Sequence, residues 1–159
     1  MPNVLLVCTA NICRSPVAEA VLKDRLRQSG FADVWQVTSA GTWANWGNRA
    51  SENSVLVLAE RGLDINEHRS KPVSEGLLAG ADLVLCMEVG HKEALQAEFR
   101  DQAAKIHLLS EMAGPGYSIV DPFGGPLEDY KKMLEEVTGL IDEGLPRIVE
   151  LAERNAHGH

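Results

Sequence analysis

At 159 residues, 45% of them hydrophobic, the chain fits one domain that buries about two-thirds of its unfolded surface without disulfide or metal staples. Its formal net charge of -8 excludes a general binder of nucleic acid or acidic membrane, which needs a broad basic surface. Three cysteines, an N-terminus without the basic and apolar segments of a signal peptide, and no apolar run near the roughly 18 residues of a membrane span point to a cytoplasmic chain with no membrane partner.

Val4 to Val7 read as a fully buried strand, and Val17, Ala18, Val21, Leu22 and Leu26 recur at helical spacing until Gly30 stops the helix. Between them lies Cys8-Thr9-Ala10-Asn11-Ile12-Cys13-Arg14-Ser15-Pro16. Five residues separate a thiol from a guanidinium, enough for the backbone to curl round a small anion with its N–H groups inward and the positive end of the helix behind them. In that setting Cys8 is expected as a thiolate nucleophile, since helix N-termini and cationic neighbours lower thiol pKa values. Arg14 offers a planar fork for two oxyanion contacts. Asn11 tolerates the left-handed backbone of a tight loop, Ser15 suits the N-cap and Pro16 the first helical position.

Val34 to Thr38 read as a second strand, followed by a loop over 39–51 that contains Gly41, Trp43, Trp46 and Gly47. A helix from Glu52 to Arg61 ends at Gly62, and Glu75 to Leu78 form a short one. Asp82 to Met87 read as a central strand, Lys92 to Phe99 as a helix and Lys105 to Leu109 as a fourth strand. Leu127 to Arg154 form a long closing helix, interrupted near Gly144 and Pro146, and Glu153 to His159 a frayed tail in which His157 and His159 form no metal set. Strands alternating with helices predict one α/β domain over 1–159, with a parallel four-stranded sheet, helices on both faces and the anion loop after the first strand. Ligands of such sheets bind beyond the carboxyl ends of strands at a topological switch point, which is where Cys8 falls. No metal or cofactor is expected.

Asp121-Pro122-Phe123-Gly124-Gly125 falls between the fourth strand and the last helix. Alone it reads as a turn. Beside a thiolate that accepts a phosphoryl group it gains a role, because the leaving group needs a proton and the thiophosphate an activated water, and one carboxylate can serve both steps. Trp43 and Trp46 suit either packing of their loop or the wall of a substrate cleft. His68, flanked by Glu67 and Arg69, reads by itself as a surface residue.

Together these pieces resemble the low-molecular-weight protein-tyrosine phosphatases of bacterial type: Cys-x5-Arg-Ser-Pro near the N-terminus, Ser39-Ala40-Gly41-Thr42 after the second strand, the strand Asp82 to Met87, and Asp121-Pro122-Phe123 late in the chain. The resemblance spans residues 3–150. It implies Cys8 as nucleophile, Arg14 as phosphate and transition-state ligand, and Asp121 as general acid and then base. By the same resemblance Asn11, Ser15, Ser39 and His68 hold the loop, with Ser15 also stabilising the sulfur. Thr9, Ala10, Asn11, Ile12, Cys13 and Ser15 surround the phosphate, and Phe123 with a tryptophan, Trp43, flanks the substrate ring. The implied partner is a phosphorylated protein, and the implied state a monomer or weak homodimer.

Two positions depart from the family pattern. Ala10 stands where glycine is usual, and Phe123-Gly124 replaces a Tyr-Tyr or Tyr-x pair. Within the family the alternative activity is that of a protein-arginine phosphatase, suggested by Asp-Pro-Phe-Gly-Gly and the acidic helix after it. Such enzymes typically carry threonine where this chain has Ile12, so Ile12 favours phosphotyrosine. An arsenate reductase needs a relay of cysteines after the third strand, where only Cys86 stands, and a non-catalytic phosphate module would have lost Cys8 or Asp121. Cys13 is the thiol nearest Cys8 in sequence and can trap an oxidised Cys8, or serve only as a small buried loop residue.

Overall fold

The computed structural model describes residues 1–31 and 33–158, and in it the first apolar run becomes the inner strand β1 (Asn3–Cys8). Its neighbours are β2 (Gln36–Gly41) and β3 (Leu83–Cys86), with β4 (Ile106–Leu108) outside β3; the order is β2-β1-β3-β4, and every pairing is parallel. A strand buried on both faces must be apolar at every position, and period-two alternation sends its residues to two cores. Val4 and Leu6 join Leu83 and Leu85 in one core, packed by α1 (Arg14–Gln28), α2 (Glu52–Ala59) and α5 (Leu127–His157). Leu5 and Val7 join Val84 and Cys86 in the other, covered by Leu78 of α3 (Glu75–Gly80) and Leu95 of α4 (Val89–Glu98).

The chain leaves β1 towards β2 on one side and returns to pair β3 on the other, so the switch point lies at the carboxyl ends of β1 and β3. Cys8 ends β1, and Met87 extends the pairing by donating its N–H to Val7 O at 2.9 Å. The late loop is sewn onto the same edge, because Ile119 N–H donates to Met87 O at 2.9 Å. Among the described residues no helix is long and apolar enough to cross a membrane.

Several boundaries differ from the sequence reading. β2 starts at Gln36 rather than Val34: Val34 is exposed, and Trp35 first packs its ring against Phe31, centroids 5.9 Å apart. α1 starts at Arg14, so Ser15 is not its N-cap but lies inside the first turn. α4 starts three residues before Lys92, because Glu88 N–H donates to His91 Nδ1 at 3.2 Å and His91 so caps its N-terminus. α5 runs unbroken through Gly144 and Pro146. A side chain at Gly144 would stand 2.7 Å from Met112 Cβ, so the glycine there permits close packing and marks no break. Pro146 forfeits one helical N–H, but Ile141, Ile148 and Leu151 are buried on either side and hold the helix. Nor does the helix end at Arg154 or fray from Glu153: it continues through His157, and Asn155 Nδ2 donates to Asp82 O at 2.8 Å. His159 lies outside the described residues.

Candidate active site

The loop from Thr9 to Cys13 turns at Asn11, whose φ of 60 is the one positive value among the described non-glycine residues. Ala10 therefore needs no glycine, which accounts for the departure seen there in the sequence. On the neighbouring strand Gly41 does need to be one. A Cβ at Gly41 would lie 2.3 Å from Thr9 O and 3.0 Å from Asn11 N, so only glycine lets β2 pass this close. Beyond it Thr42 N–H and Trp43 N–H donate to Cys8 O and Thr9 O, both at 2.9 Å, extending the pairing along the loop.

Asn11 is fully buried and organises the loop through one chain of donors. Lys71 N–H donates to its Oδ1 at 3.0 Å, which fixes Nδ2 as the donor side. Nδ2 then donates to Ser15 Oγ at 2.8 Å and to Ser39 Oγ at 2.9 Å. Ser39 Oγ–H donates to Glu19 Oε1 at 2.6 Å, while Ser15 Oγ stands 2.9 Å from Cys8 Sγ. When Cys8 is a thiolate its sulfur can only accept, and the Ser15 hydroxyl, with one acceptor site filled by Asn11, then donates its proton to it. His68 Nε2 donates to Asn11 O at 2.7 Å. The four residues expected as a supporting network are thus in contact with one another or with the loop backbone.

Arg14 is 1% exposed and held on several sides. Nη1 donates to Ile119 O at 2.8 Å and pairs with Glu88 at 2.7 Å; Nη2 lies 3.5 Å from Asp121 Oδ2 and 3.4 Å from Thr9 Oγ1. Its Nε is buried and has no partner among the described residues. Backbone N–H groups from Thr9 to Cys13 likewise have no protein acceptor among those residues. A buried donor such as Arg14 Nε is rarely left so, and a row of unpaired N–H groups next to it and beside a thiol can hold an oxyanion. Asp121 approaches from the late loop, half-exposed, with Oδ1 accepting from Phe123 N–H at 3.0 Å. Gly124, at φ 81, turns the chain away through a bond from Gly125 N–H to Pro122 O.

The remaining candidates are arranged differently from one another. Trp43 and Phe123 are 86% and 67% exposed, so neither fills the core, and Trp46 is exposed as well. Ile12 is half-buried against the core, with its carbonyl accepting Ser51 N–H at 2.8 Å. Cys13 is buried; its sulfur lies 2.8 Å from Ser51 Oγ and 3.7 Å from Tyr130 Oη, and burial pushes its thiol up. Cys86 is fully buried in β3, where loss of solvent pushes its thiol up to about 12.

Sequence reasoning missed Glu19, Glu88, His91 and the backbone of Ile119. Glu88 and His91 carried a readable signal, an acid and a histidine three residues apart just after a strand, which is the spacing of a helix cap. Glu19 and Ile119 carried none, because each acts through a contact set by the folded chain.

Residues 3–155 match the family model described as low molecular weight phosphotyrosine protein phosphatase. The chain is 36% identical over 140 residues to the protein-arginine-phosphatase of Bacillus subtilis, covering 87% of this chain and 91% of that protein. It is 35% identical over 146 residues to a probable low molecular weight protein-tyrosine-phosphatase, EpsP, of Ralstonia nicotianae, covering 92% and 95%. Among solved structures, the low molecular weight protein tyrosine phosphatase from T. tengcongensis superimposes with a TM-score of 0.87 at 42% identity, covering 92% of this chain and 99% of that one. The YwlE arginine phosphatase of Geobacillus stearothermophilus gives 0.86 at 33% identity, covering 100% and 99%.

Proposed function

From the premise that the chain belongs to the low molecular weight phosphotyrosine protein phosphatase family, and is thus a cysteine-dependent phosphoprotein hydrolase, we propose that it removes phosphate from phosphotyrosine with Cys8, Arg14 and Asp121 as its catalytic residues. The observation that carries this assignment is the buried, unpartnered Nε–H of Arg14 beside a loop of free backbone N–H groups with Cys8 at its start.

In the first step the Cys8 sulfur attacks phosphorus and the bond from phosphorus to the phenolic oxygen breaks, while Asp121 gives that oxygen a proton. Arg14 and the loop N–H groups hold the non-bridging oxygens, and their attraction grows as charge builds on them in the transition state. In the second step Asp121, now a carboxylate, takes a proton from water. The water oxygen bonds to phosphorus, the sulfur–phosphorus bond breaks, and the electron pair returns to Cys8, whose sulfur the Ser15 hydroxyl stabilises.

Phosphotyrosine is favoured over phosphoarginine by Ile12, an apolar residue of the loop where a threonine would offer a hydroxyl, and by the exposed aromatic rings of Trp43 and Phe123, which suit a phenyl ring. The test is turnover of matched phosphotyrosine and phosphoarginine peptides by the wild type and by Ile12→Thr. Wild type should prefer phosphotyrosine, and the variant should shift towards phosphoarginine. A wild type that prefers phosphoarginine would overturn the substrate assignment.

A further inference from the structure

His91 plays no part in the two-step scheme above, yet its ring is buried between α4 and the catalytic loop. Its Nδ1 accepts Glu88 N–H at 3.2 Å, so the neutral ring carries its proton on Nε2. Nε2 lies 2.8 Å from Thr9 Oγ1 and therefore donates to it. Thr9 Oγ1 has a second, longer contact from Arg14 Nη2 at 3.4 Å. A hydroxyl has two acceptor sites and one proton; with both acceptor sites engaged, the Thr9 proton is available to be given away. The same Arg14 Nη2 faces Asp121 Oδ2 at 3.5 Å, which puts Thr9 at the side of the loop where the acid stands.

We propose that His91 is a positioning residue which, by donating Nε2–H to Thr9, turns the Thr9 hydroxyl into a fixed donor for a phosphoryl oxygen beside Asp121. The proposal rests on the assignment of Cys8, Arg14 and Asp121 above. Only the neutral ring can do this while capping α4, since protonation at Nδ1 removes the acceptor for Glu88 N–H. The charged groups that act on the ring are Glu88 at the start of α4, whose Oε2 lies 3.5 Å from Nε2 and so farther than Thr9 Oγ1, Arg14 from α1 and Asp121 from the late loop. Burial, the largest influence, holds His91 below its ordinary value and thus in the neutral form at pH 7.

A role confined to capping α4 would give different kinetics, so a double-mutant cycle separates the two. The substrates are p-nitrophenyl phosphate and phenyl phosphate; the variants are His91→Leu, His91→Gln, Thr9→Val and their combinations. His91→Leu and Thr9→Val should each lower kcat by about tenfold, the scale of one hydrogen bond to a charged group. The double variant should be no slower than Thr9→Val alone. His91→Gln should recover most of the rate, because an amide at this helical position can accept Glu88 N–H and donate to Thr9 together. It should also remove an acid-side ionisation from the kcat profile, and Thr9→Val should remove the same one.

Losses that multiply in the double variant would overturn the proposal, as would a glutamine variant no better than leucine. Should His91→Leu not fold, the acid-side ionisation decides: its persistence in Thr9→Val would overturn the proposal. Either result with a normally active wild type leaves the Cys8 mechanism standing. A wild type that turns over neither substrate would overturn that mechanism together with this proposal.

Discussion

The Ser15 hydroxyl stands 2.9 Å from the Cys8 sulfur, and Asn11 Nδ2 donates to the same oxygen at 2.8 Å, so Ser15 donates to the sulfur once Cys8 is ionised. A hydrogen bond to an ionised group contributes about 1.5–3 kcal/mol, so its loss should slow formation or release of the sulfur by roughly 10- to 100-fold. Ser15→Ala is accordingly expected to lower kcat by that factor on p-nitrophenyl phosphate and on phenyl phosphate alike. Steady-state kinetics on the two substrates check it directly.

In the proposed mechanism Asp121 acts where a proton must reach the leaving oxygen, so the effect of Asp121→Asn should depend on what leaves. With phenyl phosphate the loss should be about 10²–10⁴-fold, the usual contribution of a positioned acid. With p-nitrophenyl phosphate, whose phenolate departs more readily, the phosphorylation step should suffer less. Burst kinetics on the two substrates separate that step from hydrolysis of the thiophosphate.

Gly41→Ala tests the close approach of β2 to the loop. Its Cβ would meet Thr9 O at 2.3 Å, and because that atom is backbone, relief requires the loop itself to move. Overpacking of this kind costs about 1–3 kcal/mol, and a shift near 1 Å at the reacting centre can cost about 10²-fold in rate. Urea unfolding should give a lower midpoint for the variant, with a loss of kcat larger than that of stability.

Burial holds His91 and His107 below the ordinary histidine value of 6.5. Below that pH the unfolded chain takes up protons that the native state refuses, so these groups reduce stability as pH falls from 6.5 to their lowered native values. Above 6.5 they contribute no slope. The urea midpoint should therefore be lower at about pH 5.5 than at about pH 7.5, and His107→Gln, placed away from the loop, should flatten part of that difference.

What the sequence made legible was whatever depends on neighbours along the chain. The Cys8 to Pro16 stretch carries thiol, turn residue and arginine in one segment, and Asn11 has the left-handed backbone its residue type suggests. Position relative to β1 was legible too, since a run buried on both faces has one reading. The contacts of Glu88 with Arg14, of His91 with Thr9 and of Ile119 with Arg14 were not, because they exist only once β3 lies beside β1 and the late loop joins β3. Pro146 misled for a related reason: its local cost is outweighed by burial of the helix around it, which no local pattern reports. Ser15 fits an N-cap by residue type, but its hydroxyl is engaged by Asn11 and Cys8 instead.

In the proposed mechanism the phosphate passes through the Cys8 sulfur. Rapid quench of the wild type during turnover of an aryl phosphate, followed by mass spectrometry of the peptide containing Cys8, reads this directly. The account predicts a phosphate adduct on Cys8 that accumulates further in Asp121→Asn when p-nitrophenyl phosphate is the substrate, and Cys8→Ser should show neither rapid turnover nor a burst. An adduct on another residue, or Cys8→Ser turning over at the wild-type rate, would contradict it.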